Sequence, residues 1–275
     1  MEVRTDIIAA PPPPPLPAQP WRQSLAAFAV DLLLAMGLVF GLSVAGLAAW
    51  AVVRGAQLGL EGGAALDPGQ VAARIGEPQG TALLVISVFA TAAAALALYF
   101  WRGRASAGER RASRAAALRA STWGWAALAG MAAFAISATV TTLAQQAGIE
   151  QVPANQPLIE AVGARHPILL PLFVVLLAPL YEELLFRRVL FGRLWAAGRP
   201  LLGLVLSSAA FACMHELPGT GGNGPLAGTL LWTCYAVMGA LFAWVYRRTG
   251  TLWAAIGAHA LNNLVASALL LWSVH

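Results

Sequence analysis

The stretch Leu177–Trp195, LAPLYEELLFRRVLFGRLW, closes an apolar run that begins near Ile168. Two adjacent acids, Glu182 and Glu183, interrupt a segment that otherwise reads as membrane. Ionisable groups are expensive inside a bilayer, so they face a bundle interior and mark function. On a helix, neighbours in sequence point about 100° apart, whereas positions four apart share a face. Glu183 and Arg187 are four apart with the acid first, the favoured order for an ion pair. Glu182 is then left without that partner. A carboxylate held away from bulk water and without a counter-ion is suited to general-base work. The plainer alternative is that these acids, with Arg187 and Arg188, only mark a membrane boundary.

The rest of the chain agrees with a membrane setting. Of 275 residues, 59% are hydrophobic and 11% charged, and the mean hydropathy is +0.70. Soluble domains carry roughly 25% charged residues. The fold class expected is all-α, a polytopic transmembrane helical bundle of about seven spans with short extra helices in loops. A transmembrane barrel needs alternating segments, and these runs are continuous. The net charge of +5 comes from arginines clustered between apolar runs, where the positive-inside rule puts them, so nucleic acid is not an expected partner. Cys213 and Cys234 lie inside apolar runs and give neither a disulfide framework nor a C-x-x-C site.

Taken in order, residues 1–20 form a proline-rich tail, disordered or polyproline II, without the features of a signal peptide. Run one is Leu25–Val53, with Asp31 near its start in a structural role. Asp67-Pro68 reads as a cap and first helical residue, starting a short helix over Gly69–Arg74. Run two is Thr81–Trp101. The loop after it carries Arg102, Arg104, Arg110, Arg111, Arg114 and Arg119 against one acid, Glu109. Run three is Thr122–Leu143, and Asn155-Gln156-Pro157 starts another short helix. Run four contains the acid pair and breaks at Gly198-Arg199-Pro200. Leu201–His215, Leu226–Tyr246 and Thr251–Val274 complete the set. The arginine-rich connections then share one side, the cytoplasm, with the N-terminus inside and the C-terminus outside. Arg54 and Arg74 fall on the outer side, against this trend.

Further polar groups lie within the later runs. His215 ends Phe211-Ala212-Cys213-Met214-His215, and His259 and Asn263 are four apart, with Asn262 beside them. Runs four and five form a hairpin turning near Arg199. Glu182 and His215 lie at nearly equal distances from that turn, each roughly 25 Å along its helix. His259 lies roughly 15 Å past its own turn near Gly250, and the levels agree if the first hairpin protrudes roughly 10 Å. Glu182, His215, His259 and Asn263 are therefore expected to meet. Singly, each has a packing alternative: a histidine can be a hydrogen-bonded core residue, and an asparagine can bond across to a neighbouring helix.

The set Glu-Glu-x-x-x-Arg (Glu182, Glu183, Arg187), Phe-x-x-x-His (Phe211, His215) and His-x-x-x-Asn (His259, Asn263) resembles the CPBP family. That family includes the type II CAAX prenyl endopeptidases and the bacterial abortive-infection and bacteriocin-processing proteins. The resemblance covers roughly Pro167–Leu270, and the first 160 residues resemble nothing specific. It divides the chain into the tail (1–20), N-terminal transmembrane helices and loops (21–160) and a CAAX-protease-like catalytic domain (161–275).

The resemblance implies an intramembrane endopeptidase acting on a membrane-associated protein or peptide. Glu182 would activate water, His215 would hold the water or move a proton, and His259 and Asn263 would stabilise the oxyanion. Glu183, Arg187 and Phe211 would support them. No cofactor is indicated. Glu182, His215 and His259 match zinc in ligand type, and the family has been read both as glutamate-dependent and as metal-dependent. The Ala- and Arg-rich composition points to a bacterial inner membrane. The first alternative is a non-enzymatic membrane scaffold or immunity protein on the same fold. An ion or proton carrier is a weaker one, because the chain lacks paired inverted repeats.

Overall fold

A computed structural model describes residues 20–60, 68–217, 219 and 222–273. The proline-rich tail, the Asp67 cap, part of the glycine-rich turn and Val274 lie outside the described residues.

The described chain is helical, with no strand. It runs α1 (Trp21–Leu60), α2 (Pro68–Ile75), α3 (Thr81–Leu98), α4 (Ala107–Ala117), α5 (Ala120–Gln146) and α6 (Gln156–Arg165). One long span, Leu169–Ala196, follows, then α10 (Pro200–His215), α11 (Pro225–Thr249) and α12 (Leu252–Ser273). Among the described residues, six helices are long and apolar enough to cross a membrane; the seventh run is the shorter helix α10, of 16 residues. α1 extends past its expected end at Val53, and its 40 residues reach about 60 Å, beyond the ~30 Å hydrocarbon layer. The outer surface is apolar, with Phe40, Val52, Leu33 and Val205 exposed. Exposure on this scale is what lipid covers, and this is an integral membrane protein.

The Leu169–Ala196 span is not one regular α-helix. It comprises α7 (Leu169–Leu172), a wide π-helical turn Phe173–Leu177, α8 (Ala178–Glu183), a second π-helical segment Leu184–Phe191, and α9 (Gly192–Ala196). Pro179 explains the first widening. Proline has no N–H and crowds the carbonyl of the preceding turn, so the helix opens ahead of it.

This span is the shared wall of two apolar cores. Leu185, Phe186, Val189, Leu190 and Leu194 pack with Phe28 and Ala35 of α1, Ala95 and Leu98 of α3 and Phe211 of α10. Phe191 joins the other core, formed by Ala126, Ala129 and Ala133 of α5, Phe242 and Val245 of α11, and Ala254, Ala255 and Ala258 of α12. In that second core α5 and α12 meet through small residues spaced four apart, Ala126/Gly130 against Ala254/Ala258. A Cβ on Gly130 would lie 2.5 Å from the Ala258 carbonyl oxygen. Small residues are how membrane helices approach closely, and here they fix the backbone beside His259.

The arginine-rich segment, expected as a loop, contains α4. Ser106 accepts from the Glu109 backbone N–H and Glu109 accepts from the Ser106 N–H, a capping box that starts the helix. Asp31, fully buried, accepts from Arg102 and from Arg193, the latter at 2.8 Å. Arg188 donates to Glu109 at 2.9 Å and to the Gly103 carbonyl at 2.9 Å. These contacts tie the N-terminal helices to the central span. The helix over Gln156–Arg165 starts where expected with Pro157 in its first turn, but Asn155 makes no side-chain capping bond.

Candidate active site

The first acid pair resolves into two different environments. Glu183 is fully buried, and its Oε2 lies 2.9 Å from Arg187 Nε, off the N–H direction. Arg187 is also fully buried and donates through Nη2 to the Gly239 carbonyl at 3.1 Å. The rings of Phe211, Phe242 and Phe186 lie 4.6, 5.5 and 5.8 Å from its guanidinium carbon. A buried ion pair survives only where other contacts offset the loss of water, and these aromatic faces and the carbonyl supply them. Gly239 allows the approach: a Cβ there would sit 3.1 Å from Ser208.

Glu183 also holds a histidine. Its Oε1 accepts from His259 Nδ1 at 2.9 Å. His215 Nδ1 lies 2.9 Å from the Phe211 carbonyl, an acceptor only, so that nitrogen carries the hydrogen. Each imidazole is therefore oriented from behind by an oxygen on Nδ1, and each turns Nε2 toward the same atom. Glu182 Oε2 lies 3.5 Å from His215 Nε2 and 3.9 Å from His259 Nε2. It is buried and has no hydrogen-bond partner. An acceptor in that position is costly unless a proton or water reaches it.

The rings are clamped. His215 lies between Phe211, at 4.3 Å between centroids, and Tyr235, stacked at 4.7 Å. His259 stacks on Phe242 at 4.8 Å. Tyr235 and Phe242 escaped sequence reasoning, since an aromatic within an apolar run looks the same whether it faces lipid or a histidine.

Asn263 is placed differently from the two histidines. Its Nδ2 donates to the Val174 carbonyl at 2.8 Å, and its Oδ1 accepts from Asn262 at 2.9 Å. In a π turn the Val174 carbonyl would pair with the N–H five residues on. That residue is Pro179, which has none. Asn263 thus satisfies the carbonyl that Pro179 orphans, at the turn leading into the acid pair. No described hydrogen bond or ion pair joins Asn263 to Glu182.

Two further residues close the histidine end. Glu216, buried directly after His215, accepts from the Ala154 N–H and from Asn223 Nδ2, both at 3.2 Å. Asn223 in turn exchanges both amide bonds with the Val152 backbone, at 3.0 and 2.8 Å. The segment before α6 is latched beside His215 in this way. An acid directly after the histidine was visible in the sequence but carried no pattern.

Glu182, His215 and His259 match zinc in kind of donor. Among the described residues, however, no three His, Cys, Asp or Glu side chains are arranged to hold a metal ion.

Residues 164–265 match the family model for the Rce1-like type II CAAX prenyl endopeptidases. Every member of the three motifs, from Glu182 to Asn263, falls within that match. The Bacillus subtilis (strain 168) protein named "Putative membrane peptidase YdiL" is 31% identical over 96 residues, which is 34% of this chain. The chain spans only about a third of that relative, 35% of its length. No solved structure matches this chain. Residues 164–265 are thus similar to a domain of the Rce1-like type II CAAX prenyl endopeptidases.

Proposed function

We propose that the chain is an intramembrane endopeptidase that uses Glu182 to activate water against a peptide bond of a membrane-associated protein or peptide. The observation that carries this reading is the buried, unpartnered Glu182 Oε2, faced by two imidazole Nε2 atoms whose Nδ1 positions are both already held.

The chemistry follows from that arrangement. A water donates one hydrogen to Glu182, which takes the proton as the water oxygen bonds to the substrate carbonyl carbon. The carbonyl π electrons move to oxygen, giving a tetrahedral oxyanion. When the C–N bond breaks, the Glu182 carboxyl returns its proton to the departing amine. The Nε2 lone pair of His215, 3.5 Å from the acid, accepts the second water hydrogen and so aims the nucleophile. Glu183 fixes the ring plane and tautomer of His259, the part a buried carboxylate plays behind an imidazole. The second Asn263 N–H, beyond the one on Val174, is the donor left for the oxyanion. The water is activated without a metal. The membrane is the bacterial inner membrane, with the arginine-rich helix ends in the cytoplasm.

Comparing newly formed peptide termini in membranes that contain the wild type or Glu182→Gln tests this. The reading requires a set of termini that vanishes in the variant while the protein stays inserted and folded. An unchanged set would remove Glu182 as the base. Termini that vanish only after zinc is stripped from the purified wild type would replace the glutamate-only mechanism with a metal-dependent one.

A further inference from the structure

A second polar feature lies far from the acids, at the turn between α9 and α10. Gly198 adopts φ 76°, and the N–H groups of Gly198 and Arg199 return to the carbonyls of Trp195 and Leu194, at 2.9 and 2.8 Å. This left-handed cap stops α9 and lets Pro200 start α10. The turn frames a shallow cavity, open to the surface, of about 390 Å³ lined by Gly198, Arg199, Pro200, Leu201, Leu202 and Arg247.

Several observations give that cavity a sign. Arg199 and Arg247 are the charged groups in its wall, and no acid lines it. Arg199 Nε is buried and has no hydrogen-bond partner. Asp31 and Glu109 pair with other arginines, Asp31 with Arg102 and Arg193 and Glu109 with Arg188. Arg199 is the residue before the first turn of α10, and its side chain supplies no acceptor for that turn. Helix N-termini present free N–H groups and a partial positive charge, which favour an anion. The surroundings are those of a lipid. Below the cavity, Leu201 and Val205 are exposed one helical turn apart. Exposed Trp21, Trp123 and Trp253 stand in the first turns of α1, α5 and α12, and exposed Trp101 lies just after α3, in the π-helical turn Tyr99–Gly103, where a girdle marks the membrane–water boundary.

We infer that this cavity binds the phosphate of an anionic lipid headgroup, with Arg199 and Arg247 on the phosphate and an acyl chain lying along Leu201 and Val205. Arginine suits this because its fork of donors matches phosphate oxygens. The bound lipid pins the α9–α10 turn, from which both the Glu182 span and the His215 helix extend. The inference stands apart from the peptidase reading, since no part of it involves Glu182 or Glu183.

Native mass spectrometry on the full chain in neutral detergent, titrated with phosphatidylglycerol or phosphatidylcholine, tests it. The wild type is expected to retain one phosphatidylglycerol in preference to phosphatidylcholine. Arg199→Gln with Arg247→Gln should weaken that binding roughly 30-fold, at about fivefold per arginine. Arg110→Gln with Arg111→Gln, on the exposed face of α4, should leave it unchanged. The lysine pair Arg199→Lys with Arg247→Lys should fall between wild type and the glutamine pair. Equal retention of the two lipids, or undiminished binding in the glutamine pair, would overturn the assignment. So would an equal loss in the α4 pair, which would mean diffuse charge attraction. Displacement of the lipid by an equal concentration of inorganic phosphate would make the ligand free phosphate and overturn the lipid as well.

Discussion

Glu183 stands between Arg187 and His259, with Oε2 2.9 Å from the arginine Nε and Oε1 2.9 Å from the histidine Nδ1. One buried carboxylate therefore neutralises a guanidinium and aims an imidazole. Removing its charge leaves Arg187 buried and unpaired, a change that costs about 3–5 kcal/mol for groups of this kind. Glu183→Gln is expected to lower the thermal midpoint in detergent sharply and to abolish cleavage. Glu183→Gln with Arg187→Met removes both charges, and should recover most of the stability and none of the activity. Equal midpoints for the single and double variants would show that the pair is not what the core depends on.

Asn263 and Pro179 form a linked pair across two helices. Asn263→Leu should cost about 1–2 kcal/mol, because it leaves the Val174 carbonyl without a donor. Pro179→Ala restores a backbone N–H at the position that carbonyl needs. The double variant Asn263→Leu with Pro179→Ala should therefore be more stable than the sum of the two singles predicts. Strict additivity in unfolding measurements would detach Asn263 from the Pro179 turn.

Gly130 tests the placement of His259. Gly130→Ala puts a methyl group against the Ala258 backbone, which cannot swing aside. A loss of about 1–3 kcal/mol is expected, together with activity, as α12 shifts. Gly124, on the same helix, has nothing within 4 Å of its would-be Cβ. Gly124→Ala should match or slightly exceed wild type in stability, by up to about 1 kcal/mol. The same thermal scans decide both, and equal effects would mean that packing at Gly130 does not set the α5–α12 distance.

Glu109 gives the pH dependence outside the membrane. Burial pushes its carboxyl upward, but hydrogen bonds from Arg188 and from Ser106 prevail and hold it below its ordinary value of 4.5. A lowered folded value means stability that is present above the ordinary range and lost as pH falls through the lowered one. The midpoint difference between wild type and Glu109→Gln should be largest near neutrality and shrink at acid pH. A difference that grows on acidification would reverse the sign of this account.

The membrane spans were legible because each is a long apolar run. The Glu183–Arg187 contact was legible because both lie one turn apart on the same strand of helix. Counting residues from the Arg199 turn was enough to bring Glu182 and His215 to one level, 3.5 Å apart in the structure. The partners of Asp31 were not legible. Arg102 and Arg193 are 71 and 162 residues away, and nothing local links them. The helix at Ser106–Glu109 did carry its signal, a capping box hidden by the density of arginines around it. Pro179 was in plain view as well. That its effect would be a wide turn repaired by Asn263 depends on a third helix, which periodicity along one segment does not contain.

The most direct test of the central claim is peptide-bond hydrolysis by the purified chain in ¹⁸O-water, with a membrane-inserted peptide mixture as substrate. The account predicts that the wild type places one ¹⁸O atom in each newly formed carboxyl terminus. It also predicts that Glu182→Gln, folded to the same midpoint, does so at least about 100-fold more slowly, the low end of what a lost general base costs. Labelling by Glu182→Gln at the wild-type rate would contradict it.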